Sequence, residues 1–591
     1  MTYKEKLTAI REQMHADNVQ AYLIPSADPH MSEYLPKRYK CIPFVSGFKG
    51  SAGTLLITQD FAGLWTDSRY FEQAAEQLDG SGFELVKLKV QHMPEYIEWL
   101  GETLPAGSVI ASDVKLLSVL SGDLITKRLS GKGITLTHRD YLDPIWKDRP
   151  ALPTDAAFLI EEQHIGQSVS SKLAEVRAAL RKFQADYHLV SSLDDMAWLF
   201  NIRGKDVSYN PVVLSFALIS QDHAKLFIDP AKLKETEKET LLKNGVEVLP
   251  YDEIETALSR LPENSSIFID PKRNCYAYIA VLPASVTVIK ETNPSTILKA
   301  VKNETELANT RTVMVKDGVA LTRFFKWISE NIGKIKITEL SAAAKLRSFR
   351  EEQAGFVGDS FTTISAYKAH GALPHYSASE ESDAELQPES LFLVDSGGQY
   401  FYGTTDVTRT VSLGTNTEEE CTDYTLVLKG MIEGCKLRFP KGTCGYQIDA
   451  VTRRPMWEQG INYGHGTGHG VGYFLNVHEG PQVLNPTSNP VAIEKGMITS
   501  IEPGIYRSGK HGIRIENLVH TIADAQTEFG DFYAFEPLTI APISTAIVKK
   551  ALLEESQIKW LNDYNAMVFE KLSPFLTEEE SNWLKKETQA I

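Results

Sequence analysis

Residues 391–414 read LFLVDSGGQYFYGTTDVTRTVSLG. LFLV is a short apolar run, Gly397-Gly398 is a turn signal, and DVTRTVSL is rich in β-branched residues. Two strands joined at the glycine pair are therefore expected. Each strand carries one aspartate, Asp395 and Asp406, eleven positions apart. Asp395 directly follows four apolar residues, so its carboxylate enters where the core begins. A carboxylate there needs a partner, and a metal ion is among the best. Taken alone, the pair also fits a simpler arrangement, with Asp395 capping the Gly-Gly turn and Asp406 on a solvated edge. The rest of the chain decides between them.

Four further stretches after residue 370 supply ligand-type side chains. They are His375 in LPHYS, His465 and His469 in GHGTGHGVGYF, His478 in NVHEGP, and the pair Glu502 in ITSIEPGIY and Glu516 in GIRIENL. Glu502 follows an apolar strand and precedes Pro-Gly, and Glu516 is expected on a strand between Ile515 and Asn517. An unpartnered carboxylate is costly in either setting. Singly, each histidine has an ordinary reading: His375 on a surface loop, His465 and His469 packed in the core, His478 bracing the Glu-Gly-Pro turn. Together with the carboxylates they read differently. Asp395, Asp406, Glu502 and Glu516 bring four negative charges, and if they converge, like-charge repulsion would force several to be protonated. Two divalent cations, ~3.5–4 Å apart, would cancel that charge, activate a water at neutral pH and polarise a carbonyl. One histidine among four carboxylates is a hard, oxygen-rich set that suits Mn²⁺ better than a structural zinc, although Zn²⁺ or Co²⁺ could occupy it.

Upstream, residues 4–16 have the periodicity of an amphipathic helix with Leu7, Ile10 and Met14 on one face. The strand AYLIP (21–25) and the hairpin-like pair GTLLIT (53–58) and GLWTDSRY (63–70) follow, and the helix–strand alternation indicates an α/β domain. The proline-rich YLDPIWKDRPALP reads as a linker. The next segment repeats the first. Lys6-Leu7 finds Lys172-Leu173 and YLIPSADP finds HLVSSLDD, both at an offset of 166, while Asp67 finds Asp229 at 162. A near-constant offset suggests two copies of one unit. A third segment opens with a capping-box-like Asn303 and Glu306 and a long helix, continues through the ligand-bearing strands and ends in helices. The expected division is 1–150, 151–297 and 298–591.

With 591 residues the chain exceeds a single core. Its net charge of −16 argues against nucleic-acid or anionic-membrane partners. The start MTYKEKLTAI has no signal-peptide apolar core, and no apolar run approaches a membrane span. Five scattered cysteines without a CxxC read as reduced thiols. A cytoplasmic protein is expected.

The order and spacing of DSGGQYFYGTTDVTRT, GHGTGHGVG, NVHEGP, SIEPGIY and GIRIEN resemble the pita-bread metallopeptidases, and within these the three-domain Xaa-Pro aminopeptidases (aminopeptidase P). WLFNIRGKDVSYNPV and the C-terminal EPLTIAPI, WLNDYN and WLKKETQAI extend the likeness over essentially the whole chain, and no ligand position departs from the pattern. The resemblance implies two creatinase-like α/β domains, which restrict access and take part in dimerisation, before a pita-bread catalytic domain. It implies that Asp395 binds one metal, that His469 and Glu502 bind the other, and that Asp406 and Glu516 bridge both. Glu502 would also shuttle a proton, His465 and His478 would hold the scissile peptide and its oxyanion, and His375 would shape the proline-side pocket. The implied reaction removes the first residue from peptides with proline second, and the implied assembly is a homodimer. Prolidase, which cleaves Xaa-Pro dipeptides, shares fold and ligands, but the second N-terminal copy and the length favour the aminopeptidase. Methionine aminopeptidase lacks some 300 N-terminal residues of this kind. A non-catalytic pita-bread binding protein would be expected to have lost ligands.

Overall fold

A computed structural model describes residues 1–90 and 93–591. It divides into two compact units, one formed by residues 1–162 and 167–296, the other by 163–166 and 297–591.

The first unit is built twice over. Helix α1 (Tyr3–Ala16) starts where the Thr2 side chain accepts from Glu5 N while the Glu5 carboxylate accepts from Thr2 N, and it buries Leu7, Ile10 and Met14. Strands β1 (Ala21–Pro25), β2 (Thr54–Thr58), β3 (Ala62–Thr66), β4 (Glu84–Lys87), β5 (Val109–Ser112) and β6 (Thr135–His138) form one sheet in the order 4-3-2-1-5-6. Helix α2 (Val169–Lys182) then precedes β7 (Tyr187–Val190), β8 (Ser215–Ser220), β9 (Ala224–Ile228), β10 (Val246–Leu249), β11 (Ser266–Ile269) and β12 (Thr287–Lys290). These pair in the order 10-9-8-7-11-12, the first arrangement with six added to each number. In both sheets the first strand is antiparallel to the second and parallel to the fifth. The repeat is one of topology, not of chemistry. Lys6 donates to Phe44 O (2.6 Å) from a half-buried site, whereas the matching Lys172 is buried on Trp198 O (2.9 Å) and Asn201 Oδ1 (2.7 Å). Asp67 takes both arms of Arg69 at 2.7 Å, while Asp229 caps a turn at Ala231 N.

The second unit opens with α3 (Glu304–Asn331), capped reciprocally by Asn303 and Glu306, and α4 (Glu339–Glu351). Strands β13 (Phe356–Asp359), β14 (Ile364–Tyr367), β15 (Leu391–Ser396), β16 (Gly398–Tyr400), β17 (Gly403–Thr404) and β18 (Val407–Ser412) follow. Strand β15 sits between β14 and β18, antiparallel to both. Alternation along it sends Phe392 and Val394 into a cluster with Leu321, Phe324, Phe325 and Leu346 of α3 and α4. Leu391, Leu393 and Asp395 face the other way.

The glycine pair is not the hairpin turn. Gly398 begins β16, the reversal falls at Phe401-Tyr402 with Tyr402 at φ 106°, and β16–β17 pair with β13 as a separate ribbon. Gly397 is needed for a close approach instead, since a Cβ there would lie 2.0 Å from Thr405 O and 2.2 Å from Ser360 Oγ.

Beyond β18, α5 (Glu418–Cys435) and α6 (Gly445–Trp457) lead to β19 (Arg438–Pro440, between the helices), β20 (Gly468–Gly470), β21 (Glu479–Leu484), β22 (Ile498–Ile501), β23 (Gly504–Arg507), β24 (His511–Arg514), β25 (Asn517–Thr527) and β26 (Gly530–Pro537). Six of these form a sheet in the order 19-26-25-22-20-21, and β23–β24 form a two-stranded ribbon. Val427, Met431 and Ile432 of α5 and Ile448 and Met456 of α6 share one cluster with Ile498, Ile501, Leu518 and Val519 of that sheet. Among the described residues, all five cysteines are free and no helix is long and apolar enough to cross a membrane.

Candidate metal centre

The register of β15 against β18 sets the first two carboxylates. Asp395 pairs with Thr408 and Ser396 with Val407, so residues 395, 406 and 408 present side chains to one face. His469 lies in β20, between β21 and β22. Glu502 follows the apolar β22, and its N–H donates to Thr467 O at 2.7 Å. Glu516 is not on a strand as expected. It occupies a two-residue break where the chain leaves the β23–β24 ribbon for the six-stranded sheet, and its N–H donates to Thr408 O at 3.1 Å. The break is held by Arg409, which donates to Glu516 O, to Thr408 O (2.9 Å) and to Asn517 Oδ1 (2.9 Å). Leaving the ladder turns the Glu516 carboxylate toward β18, where Thr408 Oγ1 donates to it at 3.0 Å.

The structure brings the five expected ligands together. His469 Nε2 is 3.5 Å from Asp406 Oδ2 and 3.4 Å from Glu502 Oε1. Ligand atoms of Asp406, His469 and Glu516 lie within 4.8 Å of one another. Asp395, Asp406 and Glu516 are buried and Glu502 is half-buried. Burial, then Glu516 and Asp395, push the Asp406 carboxyl well above its usual range. Burial, then Asp406, do the same to Glu502, and burial with Glu502 and Asp395 to Glu516. Arg514 offsets one of these charges, with Nη2 at 2.5 Å and Nε at 3.1 Å from Asp395 Oδ2. Among the described residues, Asp395 Oδ1 is buried with no hydrogen-bond partner. Four converging carboxylates, one oxygen among them unpartnered, and one imidazole are a donor set that fits two hard divalent cations.

The other three histidines are half-buried. The His478 ring meets His469 edge-on, centroids 4.4 Å apart. His465 Nε2 meets Tyr506 OH at 2.7 Å, and the same hydroxyl accepts from Arg514 Nη1 at 2.7 Å. His375 follows Pro374, whose carbonyl accepts from Arg514 Nη2 at 3.4 Å. Arg514 therefore touches Asp395, the partner of His465 and the loop of His375. Sequence reasoning missed it, although alternation in GIRIEN placed Arg514 on the face of Glu516, opposite Ile513 and Ile515. It also missed Asp449 and Arg453, a buried pair on α6. Arg453 donates to Tyr463 O (2.7 Å) and His465 O, and Asp449 accepts from Thr467 (2.6 Å), which fixes the glycine-rich loop. An i, i+4 acid–base pair on a helix usually signals a solvated face, so no local cue marked it.

Residues 308–522 match the model described as Metallopeptidase family M24, and 531–591 match the C-terminal region of peptidase_M24. Residues 6–140 and 148–306 match two models of the Creatinase/Prolidase N-terminal domain. Fold and site thus define an M24 metallopeptidase with two creatinase-like domains before a pita-bread domain. Proteins described as "Probable Xaa-Pro aminopeptidase P" are similar over almost the whole length: one from Sordaria macrospora is 37% identical, with 99% of this chain and 98% of that protein covered, and one from Fusarium vanettenii is 39% identical with the same coverage. The crystal structure of X-prolyl aminopeptidase from Caenorhabditis elegans, described as a cytosolic enzyme with a di-nuclear active site, superposes with a TM-score of 0.95 at 35% identity over 100% of both chains. An Xaa-Pro dipeptidase from Bacillus anthracis shares the fold over 64% of this chain and 99% of its own, at 23% identity and a TM-score of 0.50. The chain belongs to the Xaa-Pro aminopeptidase P family.

Proposed function

We propose that this protein is a metal-dependent aminopeptidase that hydrolyses the bond between a first residue and a proline at position two. The observation that carries the reading is the convergence of Asp395, Asp406, His469, Glu502 and Glu516 in a chain of this family. Asp395 would hold one cation, His469 and Glu502 the other, with Asp406 and Glu516 shared. When bound, two divalent cations polarise the carbonyl and lower the pKa of a water held there. Glu502, anchored by Ser500 Oγ at 3.2 Å, takes the proton from the attacking water and passes it to the proline nitrogen. That nitrogen belongs to a tertiary amide without N–H, so no step relies on a backbone donor at the scissile bond. His465 and His478 hold the peptide and stabilise its carbonyl oxygen as negative charge develops. His375 shapes the side of the site where the proline ring lies. The oxygen-rich donor set favours Mn²⁺ over Zn²⁺ or Co²⁺. A cytosolic homodimer is the assembly we assign, to be checked by fractionation and light scattering.

The test is direct. Manganese-loaded protein should release the first residue of an Xaa-Pro-Yaa tripeptide faster than it cleaves an Xaa-Pro dipeptide. Asp406→Ala and Glu516→Ala should abolish both the activity and the binding of two metals per chain. A preference for the dipeptide would make the protein a prolidase, and no bound metal after manganese loading, with no hydrolysis, would make it a binding protein.

A further inference from the structure

The loop that carries His375 has almost no regular structure of its own. Between β14 and β15 it contains one short 3₁₀ turn, Lys368–Ala372. Its anchor is Glu339, the first residue of α4, which is fully buried. The carboxylate accepts from Tyr367 N at 2.7 Å through Oε1 and from Ala384 N at 3.2 Å through Oε2. It also accepts from Tyr376 OH at 2.8 Å and faces His370 Nδ1 at 2.9 Å. All four partners lie between residues 367 and 384, and they flank His375 on both sides. The Tyr376 ring stacks on His370 and packs on Ile364, Ala366 and Leu393, the face of β15 that carries Asp395 two residues on. A glutamate at a helix N-terminus gains at most a modest dipole benefit while exposed. Removing it wholly from water is costly unless its partners are ordered around it.

We propose that Glu339 is a positioning residue for the peptidase reaction: it fixes the segment 367–384 so that His375 meets the proline side of the substrate. This rests on the role of His375 given above. The carboxylate is suited to the task because it only accepts, and a backbone N–H points at each of its oxygens. A glutamine at this position can satisfy one of those amides but turns its own NH₂ toward the other, whichever way it is flipped.

Glu339→Gln is therefore expected to raise KM for an Xaa-Pro-Yaa peptide about tenfold, the size of one buried unpaired donor, with kcat within about twofold. Two metals per chain remain bound. His375→Ala raises KM as well, and the double variant is no worse than the more impaired single one, because both changes act through one side chain. Two losses that multiply, or a raised KM in His375→Ala beside an unchanged KM in Glu339→Gln, overturn the proposal alone. An unchanged KM in His375→Ala overturns the reading of His375 and this one with it. Should Glu339→Gln not fold, Tyr376→Phe keeps the ring and removes one O–H donor to Glu339; a rise in KM of about threefold supports the proposal and no change overturns it.

Discussion

Arg514 grips Asp395 through one oxygen only. Its Nη2 and Nε lie 2.5 and 3.1 Å from Oδ2, while the buried Oδ1 has no hydrogen-bond partner among the described residues. The guanidinium thus orients the carboxylate and leaves Oδ1 for the cation proposed above. Both groups are nearly inaccessible, so the pair forms where the penalty for a lone charge is high. A lysine has a single point of charge and cannot reproduce two donors on Asp395 together with one on Tyr506. Arg514→Lys is expected to lower kcat/KM by roughly 100-fold, equivalent to ~3 kcal/mol, with metal content reduced. Kinetics and metal analysis check it, and activity within threefold of the parent would show that Asp395 is oriented by something else.

Tyr506 joins the same arginine to His465, its hydroxyl lying 2.7 Å from each. Tyr506→Phe keeps the ring and leaves His465 Nε2 without that partner. The expected outcome is a fall in kcat of about tenfold with two metals still bound, consistent with loss of one hydrogen bond to a charged group. A change confined to KM would instead place His465 in ground-state binding.

Chelation should expose the repulsion among Asp395, Asp406, Glu502 and Glu516. Each cation at a hundredfold excess over its Kd stabilises the folded chain by about 2.7 kcal/mol, so a chelator should lower the unfolding temperature of the parent. Asp406→Asn removes the proposed shared ligand and one of the converging charges. It should be insensitive to the chelator and at least as stable as the chelated parent. Calorimetry with and without chelator decides.

Much of this arrangement was legible beforehand. Periodicity placed α1 and α3 because their apolar residues recur on one face, β1 was marked by a short continuous apolar run, and the offset of 166 anticipated two sheets with one strand order. The gathering of Asp395, Asp406, Glu502 and Glu516 was legible because carboxylates beside apolar runs have few uses. The misreadings share one physical origin: they concern residues whose role is set by a distant neighbour. Gly397 looks like a turn residue until Thr405 is found against it. Glu516 looks like part of a strand until Arg409, more than a hundred residues earlier, is found holding the break.

The His375 loop gives a pH dependence with a definite sign. The Glu339 carboxylate holds the pKa of His370 above the ordinary histidine value, against partial burial. The stabilisation is therefore complete below about pH 6.5, the unfolded value, and is lost as pH rises through the higher folded one. The difference in stability between the parent and His370→Gln should be largest near pH 6 and fade above neutrality. The His370 side chain is 31% exposed, so the full effect should stay below ~1 kcal/mol. Denaturant titrations across that range measure it, and a difference that grew with pH would contradict the pairing.

The most demanding prediction concerns two glycines. Gly512 in β24 and Gly371 in the His375 loop meet backbone to backbone, and the contact is unequal in the two directions. A Cβ on Gly512 would fall 1.6 Å from Gly371 O and 2.1 Å from Gly371 C, atoms that no rotamer change can move. A Cβ on Gly371 would meet Gly512 N and O at 3.1 and 3.2 Å, which a shift of a few tenths of an ångström relieves. Gly512→Ala should therefore destabilise by ~3 kcal/mol or more, and Gly371→Ala by ~1 kcal/mol or less. Activity should follow the same order for a separate reason: Gly512 lies two residues before Arg514, so parting β24 from the loop pulls the guanidinium from Asp395 and from Pro374 O together. Unfolding temperatures and kcat/KM of the two variants test both halves. Equal behaviour of the pair would mean that β24 and the loop are not in backbone contact, and the arginine would then lose its route from the metal face to His375.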